Sequence, residues 1–129
     1  MVFDDLVVVL DDCAIARILV EYLLGTEGIA TRCFETPAEF FEYMKGHRPL
    51  CIILDINMPE MNGIQVLAAL SEMDGAAPVI AVSAESNMTI IRAAIDCGAR
   101  TFIPKPFDPE RLLRNIREVL ALSAIAAPA

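Results

Sequence analysis

Five side chains that are capable of chemistry each follow a short apolar run in the sequence. They are three acids, a hydroxyl and a lysine: Asp11, Asp12, Asp55, Ser83 and Lys105. Three carboxylates that are held close together repel one another, so their proximity would require a neutralising cation. Oxygen ligands without histidine or cysteine favour a hard ion, and a small site that retains water favours Mg²⁺, with Mn²⁺ as a substitute.

The lysine and the hydroxyl indicate what such a cation would act on. A lysine ammonium suits a phosphate oxygen, and a hydroxyl can donate a hydrogen bond to a second one. Together with the cation, they would cover the equatorial oxygens of a phosphoryl group during transfer. One of the carboxylates would then be the nucleophile, and the product would be an aspartyl phosphate.

Alternating strands and helices would bring these residues to one edge of a sheet. Apolar, largely β-branched runs predict strands over residues 7–10, 29–34, 50–54, 78–82 and 101–103. Capping residues, prolines and glycines predict helices over residues 14–24, 37–44, 64–72, 87–97 and 109–122. This alternation indicates a doubly wound α/β fold, a five-stranded parallel sheet with helices on both faces, which binds ligands at the carboxyl ends of its strands. Pro104 removes a hydrogen-bond donor from the last strand, which is tolerable if that strand lies at an edge of the sheet.

Length, charge and cysteine spacing narrow the class of protein further. A chain of 129 residues suits one domain, which we expect over residues 1–122, with 123–129 as a tail or the start of a linker. The net charge of −8 disfavours direct nucleic-acid binding. The apolar runs are too short to cross a membrane and the amino terminus does not resemble a signal peptide, so we expect a cytoplasmic location. The cysteines lack metal-binding spacing, and His47 is expected to be a solvated loop residue.

Four motifs in this order resemble the receiver domain of bacterial response regulators, and small chemotaxis-type receivers most of all. They are Leu10-Asp11-Asp12, the stretch LDINMPEMNG over residues 54–63, Val82-Ser83-Ala84 and Lys105-Pro106-Phe107. The resemblance covers residues 5–122. It implies a flavodoxin-like sheet of strand order 2-1-3-4-5 and a phosphate-accepting switch of a two-component phosphorelay.

The resemblance also implies the roles of the acidic residues. Asp55 would take the phosphoryl group from a phosphohistidine donor. Asp12, Asp55 and the backbone carbonyl of Asn57 would bind Mg²⁺ directly, whereas Asp11 would hold it through water. Asn57 and Glu85 would flank the phosphorus atom and tune the rate at which water removes the group.

The remaining motif residues would contact the phosphoryl group and transmit its presence. Ser83 and Lys105 would each contact a phosphoryl oxygen, and the small Ala84 would leave room for the group. Phe102 occupies the position of the aromatic switch residue, which turns inward when Ser83 moves to the phosphate. The change would alter the face formed by helix four, strand five and helix five, and the peptide before Pro106 would be cis.

The first helix carries apolar residues on more than one face, which indicates a surface for a partner. We expect Ile15 and Ile18, with Pro106 and Phe107 nearby, to dock a helical histidine-phosphotransfer protein. The expected partners are therefore a histidine kinase or a histidine-phosphotransfer protein. The chain itself is expected to be a monomer or a weak, phosphorylation-dependent dimer.

Three other functions remain open at this point. A receiver fold could serve as an interaction module without phosphorylation. A phosphohydrolase of the haloacid-dehalogenase type would need an acid where Asn57 stands, and a flavodoxin-like flavin binder would need a phosphate-binding loop where Asp11, Asp12 and Cys13 stand. The leading interpretation is not a turnover enzyme, since such a domain would catalyse only its own phosphorylation and dephosphorylation.

Overall fold

Twelve elements are present in the part of the chain that the computed structural model describes, which comprises residues 1–58, 62–73, 77–85 and 87–126. The strands are β1 (Val2–Phe3), β2 (Leu6–Leu10), β3 (Ala30–Phe34), β4 (His47–Arg48), β5 (Cys51–Asp55), β6 (Val79–Ser83) and β7 (Thr101–Pro104). The helices are α1 (Ala14–Thr26), α2 (Pro37–Met44), α3 (Gly63–Ser71), α4 (Met88–Asp96) and α5 (Pro109–Ala126).

The main sheet has five parallel strands in the order β3-β2-β5-β6-β7. Counted along the chain within this sheet, that order is 2-1-3-4-5, so the predicted flavodoxin-like topology is confirmed. The strand β7 lies at the edge, which accommodates Pro104 because the missing amide hydrogen interrupts no ladder on the open side. The order places the carboxyl ends of β2 and β5 side by side at the centre of the sheet.

The sheet separates two apolar clusters because successive strand residues point to opposite faces. Val7 and Val9 pack with side chains of α1 and α5, whereas Val8 and Leu10 pack with side chains of α2, α3 and α4. The strands β2, β5 and β6 are buried on both faces, which explains their uninterrupted apolar sequences. This central part of the sheet is therefore a rigid base for the residues that follow each strand.

Side-chain caps mark the starts of α2 and α5. The hydroxyl of Thr36 accepts the amide hydrogen of Glu39 at 3.4 Å, and Asp108 accepts that of Glu110 at 3.1 Å. The helix α5 continues to Ala126, four residues beyond the predicted end at Leu122, because the extra residues include two alanines, the best helix formers. Within the described part of the chain, no helix has the length and apolar character needed to cross a membrane.

A second, two-stranded parallel sheet at the amino ends of the main strands is absent from the sequence prediction. Here β1 pairs with β4, and His47 is half-buried, so the expectation of a solvated loop histidine was wrong. The His47 Nδ1 lies 2.7 Å from Asp4 Oδ2, and the His47 ring stacks on Tyr43 with centroids 4.4 Å apart. The Tyr43 hydroxyl donates to the same carboxylate, which lowers the pKa of Asp4. These contacts fasten the amino terminus to α2.

Candidate functional site

Three carboxylates meet where β2 and β5 end. Asp55 is the last residue of β5 and Asp11 directly follows β2, and the two strands are paired through Leu10 and Leu54. Asp11, Asp12 and Asp55 each offer an oxygen, and these oxygens all lie within 4.8 Å of one another. Asp11 and Asp55 are buried, whereas Asp12 is exposed, so the cluster opens to solvent on the side of Asp12.

Lys105 reaches this cluster from the edge of the sheet. It follows β7, two strands away from β5 and hence about 10 Å across the sheet, a gap that its long side chain closes together with the Asp55 side chain. Its Nζ lies 2.8 Å from Asp11 Oδ2 and 3.5 Å from Asp55 Oδ2. One lysine is therefore shared between two buried carboxylates.

Backbone amides hold the other oxygen of each buried acid. The amide of Cys13 donates to Asp11 Oδ1 at 2.9 Å, and the amide of Asn57 donates to Asp55 Oδ1 at 3.0 Å. In both acids the donor lies two residues further along the chain, as in an Asx turn. The oxygen of Asp55 that faces the lysine is thus Oδ2, held in a fixed direction.

Lys105 does not fully neutralise the carboxylates of this site. Burial raises the pKa of Asp55 to about 7, and the neighbouring Asp11 carboxylate adds to the rise, although the Asn57 amide and Lys105 oppose it. For Lys105, burial lowers the pKa, but the hydrogen bond to Asp11 and the two carboxylate charges outweigh that effect and raise it overall. A divalent cation with oxygen ligands would relieve the repulsion, and the clustered carboxylate oxygens fit such an ion.

A glycine lets α3 begin directly against the backbone that follows Asp55. The amide of Gly63 donates to the carbonyl of Ile56 at 2.9 Å. A Cβ atom at position 63 would lie 2.4 Å from Ile56 Cα and 2.7 Å from the Asp55 carbonyl oxygen. Only glycine permits this approach. Residues 59–61, which belong to the second sequence motif, lie outside the described residues.

Ser83 and Phe102 lie on the neighbouring strands β6 and β7, between the site and the edge of the sheet. Ser83 is buried at the end of β6, and its hydroxyl accepts the amide hydrogen of Glu85 at 3.0 Å. Glu85 and Ala84 are exposed on the rim of the site. Phe102 is buried in β7 two residues before Pro104, which pairs with Ser83. The peptide bond between Lys105 and Pro106 is cis.

Apolar side chains are exposed on α1, immediately after the acidic pair. Ile15 and Ile18 are 78% and 68% exposed, although isoleucine is a residue that proteins usually bury. Pro106 is exposed beyond the carboxyl end of β7, and Phe107 is half-buried against the apolar cluster that α1 and α5 share. The predicted docking residues therefore include three that are open to solvent.

Arg17, which was not predicted from the sequence, contacts the site from α1. Its Nη1 donates to the backbone carbonyl of Asp11 at 2.8 Å, and its Nη2 lies 3.6 Å from Glu35 Oε2. The available signal was an arginine in the second turn of the helix that follows an acidic loop. A single such arginine is common on helix surfaces, so the pattern alone does not distinguish it.

Comparisons with known proteins identify the family of the chain. A family model described as the response regulator receiver domain matches residues 7–117. The chemotaxis protein CheY of Bacillus subtilis is 35% identical over 117 residues, covering 88% of this chain and 96% of that protein. The response regulator protein TodT of Pseudomonas putida is 34% identical over 113 residues, which cover 88% of this chain but 49% of that protein. The chain thus spans nearly all of one relative and about half of the other.

A solved structure shows the same fold at greater sequence distance. The beryllofluoride-activated NtrC4 receiver domain dimer, determined in solution, superposes with a TM-score of 0.87 at 26% identity, covering 93% of this chain and 99% of that chain. The chain is a two-component signalling module of the receiver class. It belongs to the response regulator receiver domain family. Members of this class are signalling modules and not turnover enzymes, as the sequence predicted.

Proposed function

We propose that this domain is a phosphorylation switch in which Asp55 takes a phosphoryl group from a phosphohistidine donor in the presence of Mg²⁺. One observation carries the proposal: Asp55 Oδ2 faces Lys105 inside a cluster of three carboxylates at the carboxyl ends of the central strands. The buried position leaves Asp55 with one oxygen fixed by the Asn57 amide and one directed at the site. That second oxygen is the nucleophile.

In the transfer step, the bond between Asp55 Oδ2 and phosphorus forms while the bond between phosphorus and the donor imidazole nitrogen breaks. Asp12, Asp55 and the Asn57 carbonyl would hold Mg²⁺ directly, and Asp11 would hold it through water; the ion, or Mn²⁺ in its place, supplies charge neutralisation. Lys105 and Ser83 each contact a phosphoryl oxygen, and Ala84 leaves space for the group.

The raised pKa of Asp55 explains why a cation is needed at neutral pH. A carboxyl with a pKa of about 7 is partly protonated near neutrality, and its protonated form is a poor nucleophile. A neighbouring positive charge favours the ionised form and so restores the nucleophile. Lys105 alone does not achieve this, because Asp11 takes the closer contact with its ammonium group.

The output is a change on the face formed by α4, β7 and α5. Ser83 would exchange the Glu85 amide for a phosphoryl oxygen, and Phe102, which is already buried, would turn further inward as Ser83 moves. Support comes from a groove of about 490 Å³ at this face, whose lining includes Phe102, Ile91, Ile95 and Arg111. Movement of Phe102 would reshape that groove, and effectors that fit only one of the two shapes would sense the phosphorylation state.

Water removes the phosphoryl group at a rate that Asn57 and Glu85 tune. Both side chains are exposed at the mouth of the site, Asn57 after β5 and Glu85 after β6. From these positions they would limit the approach of water to phosphorus. We also propose that residues 1–122 form the domain, beyond which its last helix runs on to Ala126, and that it works in the cytoplasm as a monomer or a weak phosphorylation-dependent dimer. The dimeric state of the NtrC4 receiver supports the last point.

The donor would dock on the start of α1. The exposed side chains of Ile15 and Ile18, together with Pro106 and Phe107, offer apolar contact area beside the acidic cluster, where a histidine kinase or a histidine-phosphotransfer protein would bring its phosphohistidine. The variants Ile15→Ala and Ile18→Ala should slow transfer from a protein donor and leave acetyl phosphate unaffected. Met88→Ala, an equally exposed change on α4, is the matched control. Equal slowing with both donors would contradict this docking surface.

Intact mass spectrometry tests the proposed function itself. Incubation with acetyl phosphate and Mg²⁺ should add one phosphoryl group to the protein. The adduct should be absent without a divalent cation and absent in Asp55→Asn. A folded protein that forms no adduct would instead support an interaction module without phosphorylation, and steady turnover of a simple phosphate ester would support a phosphohydrolase.

A further inference from the structure

Arg17 joins the two loops that follow the neighbouring strands β2 and β3. Its Nη1 donates to the Asp11 carbonyl at 2.8 Å, and its Nη2 lies 3.6 Å from the carboxylate of Glu35. The Arg17 side chain is only 19% exposed, whereas that of Glu35 is 63% exposed. Because exposed ion pairs contribute little, the hydrogen bond to the Asp11 carbonyl is the stronger of the two contacts.

The contacted carbonyl determines the direction of the next acid. The Asp11 carbonyl belongs to the peptide plane between Asp11 and Asp12, and that plane fixes where the Asp12 Cα and side chain begin. The other atoms of Asp11 are already held: its amide by the Phe34 carbonyl, and its carboxylate by the Cys13 amide and Lys105. Asp12 is exposed, so the peptide before it has the main influence on its position.

We propose that Arg17 is a positioning residue, which orients the Asp11–Asp12 peptide so that the Asp12 carboxylate points toward the divalent cation. The proposal deepens the proposed function and rests on it for the identity of the cation. A planar guanidinium suits this role because its two nitrogens lie in fixed directions, one donating to the Asp11 carbonyl and the other pairing with the Glu35 carboxylate. A lysine would keep the charge at position 17 but would lack the second donor nitrogen and the planar, fixed geometry.

Loss of the Arg17 charge and loss of its positioning effect should change the Mg²⁺ affinity in opposite directions. Removing a positive charge near a cation site should tighten Mg²⁺ binding by Coulomb's law. Losing the orientation of Asp12 should weaken it, and partners that orient metal ligands typically contribute about 10- to 100-fold in affinity. A weaker affinity in a variant that has lost a positive charge therefore cannot result from the charge change.

The test uses the full chain and measures Mg²⁺ affinity by calorimetry, together with hydrogen exchange of the Cys13 amide by NMR without metal. Arg17→Gln should weaken Mg²⁺ binding by about 10-fold, the low end of that range, and speed exchange at Cys13. Arg17→Lys should recover only part of the affinity. Arg114→Gln, the same charge change on the exposed surface of α5, should bind Mg²⁺ with the affinity of the wild type. Glu35→Gln should change the Mg²⁺ affinity by less than Arg17→Lys does.

Different results would contradict the role of Arg17 and the proposed function. Wild-type or tighter Mg²⁺ affinity in Arg17→Gln would overturn the positioning role, and so would full recovery in Arg17→Lys. Faster exchange throughout the domain, and not only in the loop after β2, would also overturn it by indicating general destabilisation. A wild-type protein that binds no Mg²⁺ would instead count against the proposed function, and the Cys13 exchange data would still decide whether Arg17 orders the loop after β2.

Discussion

Replacing Asp55 with asparagine should stabilise the protein when no metal is present. The pKa of Asp55 is raised to about 7 in the fold from an ordinary value of 3.8, mainly by burial and then by the charge of Asp11. The folded state therefore binds the proton more tightly than the unfolded state does. This contribution to stability is fully present below the unfolded pKa and is lost as the pH rises through about 7.

The size of the stabilisation by Asp55→Asn follows from the rise in the pKa of Asp55. The pKa of Asp55 rises by about 3 units and each unit corresponds to 1.36 kcal/mol, so ionising Asp55 in the metal-free fold at pH 8 costs about 4 kcal/mol. Asp55→Asn removes this cost and keeps an oxygen that can accept the Asn57 amide hydrogen at the same position. For a domain of this size, the melting temperature should rise by roughly 5 to 15 °C at pH 8.

Thermal unfolding with a chelator at pH 5.5 and pH 8 is the appropriate assay. The wild type should lose stability between these pH values, whereas Asp55→Asn should lose much less. Glu118→Gln removes the same charge from the exposed surface of α5 and controls for net charge. Added Mg²⁺ should narrow the difference by stabilising the wild type more. An Asp55→Asn variant that is no more stable than the wild type at pH 8 would refute the electrostatic account of the site.

Three further substitutions test other parts of the structure. Gly63→Ala should lower the free energy of unfolding by about 3 kcal/mol, because its Cβ would overlap Ile56, whereas Gly25→Ala in the open part of α1 should be neutral or stabilising; equal effects would contradict the close packing after β5. Lys105→Met should slow phosphorylation by acetyl phosphate at least about tenfold and yet tighten Mg²⁺ binding, since a competing cation is removed; parallel losses in both would contradict its assigned role. Tyr43→Phe should cost about 1 to 2 kcal/mol in denaturant unfolding and leave Mg²⁺ affinity unchanged. That difference should shrink as the pH falls through the lowered pKa of Asp4, because protonation of Asp4 leaves the Tyr43 hydroxyl with a neutral and weaker acceptor in the wild type.

The strands and the site could be predicted because their sequence signals are local. Each central strand is a short apolar run followed by a polar residue, and the run predicts a buried parallel strand. In β5 the polar residue is Asp55, so the end of the run predicts its position at the edge of the sheet. The caps at Thr36 and Asp108 fixed two helix starts by the same kind of local chemistry. Once the strand order was inferred, the convergence of the acids followed from topology.

The contacts that the sequence did not predict depend on distant residues. The pairing of β1 with β4 involves two residues per strand, too few for any periodicity, and the Asp4 carboxylate meets Tyr43 and His47 only in the folded chain. Arg17 was missed for a similar reason, since its target is a backbone carbonyl and no side chain marks it in the sequence. The burial of His47 results from stacking, which composition cannot indicate.

The most direct test of phosphorylation at Asp55 is to locate the phosphoryl group chemically. Borohydride reduces an acyl phosphate to an alcohol, so a phosphorylated aspartate becomes homoserine, which peptide mass spectrometry can place in the sequence. After incubation with acetyl phosphate and Mg²⁺, the account predicts homoserine at position 55 and unchanged aspartate at positions 11 and 12. Homoserine at position 11 or 12, or a phosphorylated protein without any homoserine, would contradict it.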